Sequence, residues 1–255
     1  MNLEKRSFAT ALHLLICVAV ASLAALLVFL VWYPYPYQEI SGGRDLFILL
    51  MAVDIVVGPL LTAVIFNPSK PRGELWRDLG LVVLIQLGAL GYGLHTVWQA
   101  RPLFLVMEID RFKVISSPDL QDNSAQTQLA ALPQKLRPGL LSGPVTVAIR
   151  EPKNSQERNT VMMESVIGGR DYAERPEFYL PYEGAAALKS LQRAKPLNVF
   201  LSKYAMQRPA AQALAINKGE DVMQWLYVPV LGRKNWIAVL DSQGQIRGFL
   251  EGDGF

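Results

Sequence analysis

ALHLLICVAVASLAALLVFLVWY, residues 11–33, contains no charged side chain. A helix of about 23 residues at a rise of 1.5 Å each covers about 34 Å, slightly more than the hydrocarbon core of a bilayer. An aromatic and proline-rich cluster from Trp32 to Tyr37 follows, which is typical of a membrane–water interface, whereas a cleaved secretory signal ends in a small-residue site. The stretch therefore predicts a retained transmembrane helix.

Two further apolar runs of similar length follow at residues 46–66 and 79–98. The first of them contains Asp54 and the second Gln86 and His95 among otherwise largely apolar residues, so each is long and apolar enough to cross a bilayer. Pro68 cannot continue a helix and therefore marks the end of the second one. The sequence predicts a transmembrane region over residues 1–98 and a separate domain over residues 99–255.

The distribution of basic residues predicts the orientation of the three helices. Basic side chains cluster before the first helix and between the second and third, at Lys5, Arg6, Lys70, Arg72 and Arg77. The loop between the first and second helices carries only Arg44. Because cytoplasmic loops are enriched in Lys and Arg, we expect a cytoplasmic N-terminus in a bacterial inner membrane and a periplasmic C-terminal domain.

Asp54 lies near the middle of the second helix, where a carboxylate costs about 2.5–3.5 kcal/mol on insertion scales unless it is neutralised or paired. Gly58 and Pro59 follow one turn later, and the proline leaves the carbonyl of Ile55 without its usual helical donor. One interpretation is that Asp54 is protonated or bonded to Gln86 of the third helix and serves packing. The other is that Asp54 contacts the transmembrane helix of a partner.

Small residues on the third helix favour the second interpretation. Gln86, Ala89 and Gly93 are spaced to share one helical face, and glycines elsewhere on this helix would allow another helix to approach closely. Such faces suit helix association within the chain or with a partner. The predicted partner-binding residues are Asp54, Gly58, Pro59, Gln86, Ala89 and Gly93.

The composition argues against catalysis, metal binding and nucleic-acid binding. Beyond His95 the chain contains neither histidine nor cysteine, which removes the usual general base, thiol nucleophile and zinc ligands from the C-terminal domain. His13 and His95 lie near the ends of the predicted spans and are interpreted as membrane-interface residues. The net charge of +3 arises from interleaved acids and bases and not from a basic patch. We expect no enzyme activity, no metal and no cofactor.

The C-terminal domain is predicted to be α+β, with helices on one face of a largely antiparallel sheet. The predicted strands are residues 103–115, 145–149, 223–230, 235–240 and 245–250, of which the last three form a meander with tight turns. The predicted helices are residues 124–132, 155–167, 182–194, 197–204 and 208–215. The chain as a whole is therefore predicted to be an α+β membrane protein with three N-terminal transmembrane helices.

Several segments together resemble the TfpX/TfpZ type IV pilin accessory proteins. They are RDL at 44–46, DIVVGPLLT at 54–62, FNP at 66–68, LIQL at 84–87, YG at 92–93, QARP at 99–102 and EIDRF at 108–112. The resemblance covers roughly residues 40–115 and implies a chaperone or stabiliser of a cognate type IV major pilin, without enzyme activity or cofactor. Such a chaperone could meet the pilin stem in the bilayer, the pilin head outside or both, and the sequence leaves this choice open; no site residue is transferred.

Two other functions compete with this one. A membrane-anchored sensor could bind a ligand through its periplasmic domain, but its cytoplasmic parts are too short to act as an effector, so it would need a partner. An intramembrane enzyme could use Asp54, but one acid without a second carboxylate, a histidine or a metal cluster is weak support. Which pilin is served and the oligomeric state do not follow from the sequence.

Overall fold

The computed structural model describes residues 2–67, 69–215 and 222–255; Pro68, the predicted end of the second span, lies outside them. Helix α1 covers Asn2–Leu27 and continues as a π-helical turn over Val28–Trp32, and after the short helix α2 (Tyr37–Ile40) come α3 (Gly43–Ile65) and α4 (Arg72–Gln99). The first, third and fourth of these are long and apolar enough to cross a membrane. The prediction of three spans is confirmed.

Helices α1 and α4 extend several residues beyond the predicted apolar runs. Their polar N-terminal segments, NLEKRSFAT and RGELWRD, continue the helix without a break, because charged residues such as Glu, Lys and Arg are good helix formers. Helix α3 packs against both α1 and α4, which make few direct contacts with each other. The three helices are therefore arranged around α3, with an opening between α1 and α4.

The described strands of the C-terminal domain form one sheet. They are β1 (Pro102–Met107), β2 (Phe112–Ser116), β3 (Val145–Ile149), β4 (Tyr179–Pro181), β5 (Lys195–Pro196), β6 (Leu226–Leu231), β7 (Trp236–Leu240) and β8 (Ile246–Glu251). Their order is β4-β3-β1-β2-β6-β7-β8, with β5 paired to β6. Only the β1–β3 and β2–β6 pairs are parallel, so the predicted largely antiparallel sheet is confirmed.

The predicted strand over residues 103–115 is two strands. Strands β1 and β2 form an antiparallel hairpin with Met107 opposite Phe112, and the turn between them is closed by the N–H of Glu108, which donates to the carbonyl of Arg111 at 2.9 Å. The meander of β6, β7 and β8 is antiparallel, as predicted.

The helices of the C-terminal domain agree with the predictions at all but one position. They are α5 (Asn123–Ala131), α6 (Ser155–Val166), α7 (Ala185–Ser190), α8 (Leu197–Lys203) and α9 (Arg208–Ala215). Short 3-10 turns cover Ser117–Leu120, Gln134–Leu136, Tyr172–Glu174, Pro176–Phe178, Ala205–Gln207 and Val222–Gln224. The helix predicted over residues 182–194 is shorter, since Gly184 takes a positive φ of 54° just before it begins.

Both faces of the sheet are covered, so the prediction of helices on one face is wrong. On β7, Trp236 and Ala238 point to a core that contains Tyr37 and Ile40 of α2, while the alternating residues point to a core that contains residues of α8 and α9. Helix α2 belongs to the loop between the first two spans. It packs on the second face of the sheet and closes it together with α7.

The C-terminal domain is joined to the bundle through this loop. The carbonyl of Ile40 accepts the N–H of Arg233 at 2.6 Å and that of Lys234 at 3.3 Å. Glu39 forms ion pairs with Lys234 at 2.7 Å and with Arg44 at 2.6 Å, and these hydrogen bonds hold the pKa of Glu39 below its usual value. The first loop and the C-terminal domain therefore lie at the same end of the bundle.

Candidate functional site

A cavity of about 140 Å³ lies between the three spans, where α1 and α4 separate over α3. It is lined by His13, Ile16, Cys17, Val20, Ala21, Met51, Asp54, Val83, Gln86, Leu87 and Leu90. Ile16 and Leu87 line it while remaining 53% and 58% exposed, so the cavity opens sideways as a groove. We call it the α1–α4 groove.

The predicted residues Asp54, Gly58 and Gln86 meet at the floor of the groove. The side-chain amide of Gln86 donates to the main-chain carbonyl of Asp54 at 3.2 Å and to the sulfur of Cys17 at 3.4 Å. Gly58 lies directly under this amide, because a Cβ at that position would overlap the Gln86 side chain. The absence of a side chain at Gly58 thus lets the Gln86 side chain of α4 lie against the backbone of α3.

The carboxylate of Asp54 receives no hydrogen bond or ion pair from the parts of the chain that the structure describes. Gln86 therefore bonds to the main chain of Asp54 and not to its side chain, so the bond considered in the packing interpretation is not the one formed. The carboxylate lines the groove as an acceptor. A donor from outside the chain can reach it through the groove.

His13 is a groove residue that the sequence interpretation placed elsewhere. Its Nδ1 lies 2.5 Å from the hydroxyl of Thr62, a residue of α3 that is 2% exposed. Two turns nearer the N-terminus of α1, the guanidinium of Arg6 donates to the carbonyls of Ala63 and Val64 at 2.8 and 3.2 Å. Polar contacts thus join α1 to the C-terminal end of α3, where helix carbonyls lack partners.

The remaining predicted residues are used differently. Gly93 packs against Leu50 of α3, since a Cβ there would overlap the leucine methyl groups, and Pro59 is buried in α3. Ala89 is exposed, so it does not share the inward face with Gln86 and Gly93. A smooth outer surface on α4, where an added Cβ would meet no neighbouring atom within 4 Å, is formed by Gly80, Gly88 and Gly91.

The groove can offer hydrogen bonds within an apolar environment. His13, Asp54 and Gln86 provide both donors and acceptors, and the remaining lining is aliphatic apart from Cys17. No group of His, Cys, Asp and Glu able to hold a metal ion occurs within residues 2–67, 69–215 and 222–255. Polar groups in such a setting can form hydrogen bonds across helices.

These features define a class of protein: a helical bundle with three candidate membrane spans and a polar lateral groove, fixed at one end to a mixed α+β domain. A family profile described as "Fimbrial assembly protein FimB" matches residues 2–42. The chain is 33% identical over its whole length to the "Fimbrial assembly protein, serogroup I" of Dichelobacter nodosus, covering 99% of that relative. The chain belongs to this family of fimbrial assembly proteins.

Further relatives from the same organism support this assignment. The "Fimbrial assembly protein, serogroup E1" is 32% identical over the whole chain and 99% of its own length. The protein of serogroups C1 and C2 is 41% identical over 47% of the chain and 94% of its own length. No solved structure matches the chain significantly.

Proposed function

We propose that the chain is an inner-membrane accessory protein of the TfpX/TfpZ kind, which acts as a chaperone for a cognate type IV pilin. The family description implies a role in fimbrial assembly. The observation that carries the proposal is the α1–α4 groove, which opens sideways and presents the unpaired carboxylate of Asp54. Its occupant is the transmembrane stem of the pilin.

The groove suits a helical occupant for physical reasons. A carboxylate exposed to hydrocarbon is unfavourable by a few kcal/mol, so a partner that donates a hydrogen bond to Asp54 removes this penalty. The glycines on the outer surface of α4 let a second helix approach the backbone closely beside the groove. Dispersion contacts and one polar bond together would hold an apolar stem in place.

The proposed orientation puts the C-terminal domain in the periplasm, beside the pilin head. The basic residues in the first turns of α1 and α4, together with Lys70 between α3 and α4, favour a cytoplasmic location for that end of the bundle. The first loop and the C-terminal domain share the opposite end, as their contacts through Ile40 require. A pilin held at both stem and head would bind more tightly than at either alone, because the second contact is intramolecular.

Two matched substitutions on α4 test the groove. Leu87 lines the groove and is 58% exposed, while Ile85 is 56% exposed and does not line it. The two residues are two positions apart in sequence, which separates their side chains by about 200° around the helix axis. The Leu87→Trp variant fills the groove and is expected to lose co-purifying pilin and surface pili. The Ile85→Trp variant, with the same added volume at nearly the same depth, is expected to retain both.

The Asp54→Ala variant, which removes the acceptor, tests the polar contact. A hydrogen bond within a membrane contributes about 0.6–1.7 kcal/mol, so pilin recovery in detergent is expected to fall about 3- to 18-fold. Equal pilin recovery from the Leu87→Trp and Ile85→Trp variants would contradict the groove as the binding site. A tightly bound small molecule in place of pilin in the purified wild-type protein would instead favour a sensor.

A further inference from the structure

The loop over residues 137–144 of the C-terminal domain carries two adjacent leucines whose side chains are not packed. Leu140 is 64% exposed and Leu141 is 72% exposed. The loop joins the 3-10 turn Gln134–Leu136 to β3, and its other residues are Arg, Pro, Gly and Ser. Two neighbouring exposed leucines on a loop require an explanation, since single exposed leucines are ordinary but paired ones expose a continuous apolar surface.

The loop is held at the ends of two membrane spans. The indole N–H of Trp32, the last residue of the first span, donates to the carbonyl of Leu140 at 3.1 Å. The guanidinium of Arg101, two residues after the third span, donates to the carbonyl of Gly139 at 3.1 Å. These bonds use only loop carbonyls. They therefore hold the loop beside the ends of the two spans and leave both leucine side chains free.

A close approach of the backbone confirms this position. A Cβ on Gly143 would lie 3.2 Å from the ring of Pro34 and 3.6 Å from the carbonyl of Val31, which is part of the first span. The loop therefore lies against the final turn of the span. Beside the loop, Arg137 donates to the carbonyl of Leu132 and forms no ion pair with the described residues, which suits an anionic headgroup, whereas Lys135 pairs with Glu183 at 2.9 Å.

We infer that Leu140 and Leu141 insert into the boundary between headgroups and acyl chains, so that the loop is a lipid-binding site of the C-terminal domain. The occupant is the phospholipid of the leaflet on that side of the bundle. Tryptophan at the end of a span marks the depth of this boundary, and apolar side chains presented there bind by burial in the outer few ångströms of the acyl region.

This contact would give the domain support from lipid as well as from the bundle. The chain itself joins the bundle through α2 after the first span, at Arg101 after the third and through the bond from Trp32 to the loop. The lipid contact would add to these attachments at the loop itself, whatever partner the α1–α4 groove binds.

Lipid-quenching fluorescence tests the inference on the full chain in nanodiscs. The native thiol is removed by Cys17→Ala, and an environment-sensitive thiol-reactive fluorophore is attached to Leu141→Cys or, as the control, to Met206→Cys. Met206 is 94% exposed and lies between α8 and α9, on the sheet face opposite α2. The same fluorophore at Leu140→Cys provides a second position in the loop.

Replacing the phospholipid by one brominated on its acyl chains is expected to reduce the emission from positions 140 and 141 by about twofold or more, because these labels lie within contact distance of the acyl chains. Emission from position 206 is expected to stay unchanged, and iodide in the buffer should quench it more than it quenches the loop labels. Equal bromolipid quenching at positions 141 and 206 would overturn the inference. So would loop labels that are shielded from iodide but not quenched by bromolipid, since another part of the protein would then cover them.

Discussion

Truncation of Ile40 to alanine is expected to weaken the C-terminal domain, although this residue lies in the loop between the first two spans. Ile40 is fully buried and packs with residues of β1, β6 and β7 in one core. Gly232, in the β6–β7 turn, lies so close that a Cβ there would overlap the Ile40 side chain. The domain can therefore complete its core only with a side chain that the membrane region provides.

The size of the effect follows from the volume removed. Three methyl or methylene groups leave the core, at about 0.8 kcal/mol each for transfer from water. A residual cavity of roughly 60 Å³ adds about 1.4 kcal/mol at the measured cost per unit of cavity volume. We therefore expect the Ile40→Ala variant to lose about 3–4 kcal/mol of unfolding free energy.

Urea unfolding of the full chain in detergent micelles measures this loss. Trp225 and Trp236 are both buried in the domain, so tryptophan emission reports its unfolding. With a slope near 2 kcal/mol per molar urea, the midpoint should fall by about 1.5–2 M. Ile109→Ala provides the control, because Ile109 is 67% exposed in the β1–β2 turn and should shift the midpoint little. Equal midpoints for the two variants would refute the closure of the sheet by α2.

Three further predictions concern single side chains. Glu157→Gln should lower the melting temperature most above pH 4.5 and have no effect by about pH 2. The Arg150 guanidinium lowers the pKa of Glu157 from 4.5 to about 2, and the resulting stabilisation is lost as pH falls through that range. Scanning calorimetry at several pH values measures the change. Asp241→Ala removes a buried carboxylate that pairs with an arginine and accepts two main-chain N–H groups, so urea unfolding should show a loss of about 3–5 kcal/mol. Gly58→Ala should displace the glutamine amide on the groove floor and lower thermal stability in detergent, whereas Gly88→Ala, which faces open space, should not.

The membrane region was predictable because its signal is local. Length and hydropathy identify each span without knowledge of its neighbours, and the turns of the β6–β8 meander carry glycine and asparagine or aspartate. The β1–β2 hairpin was missed for a local reason as well. Its turn, Glu108 to Arg111, contains Asp110 but no glycine, proline or asparagine, and all six residues of β1 are buried, so only one weak turn signal marked the boundary.

Other features depend on contacts between distant parts of the chain. Ile40 meets Arg233, and no periodicity within either segment indicates that they pair. The contact of His13 with Thr62 was not predicted, because an almost wholly apolar helix gives no sign of which face meets its neighbour. Asp54 and Gln86 were correctly linked as a pair on two helices, but the atom that bonds is the main-chain carbonyl, a detail that residue types do not determine.

The junction between bundle and domain has a consequence for specificity. Glu39 and Ile40 hold the β6–β7 turn by ion-pair and main-chain contacts, so no flexible linker separates the α1–α4 groove from the domain. With a flexible linker, the affinity gained from a second contact would depend on linker length, and the protein would accept partners of many shapes. With a rigid junction, the second contact forms only for a partner whose stem and head have a matching spacing and angle. A protein built in this way would distinguish its cognate pilin by geometry as well as by local chemistry.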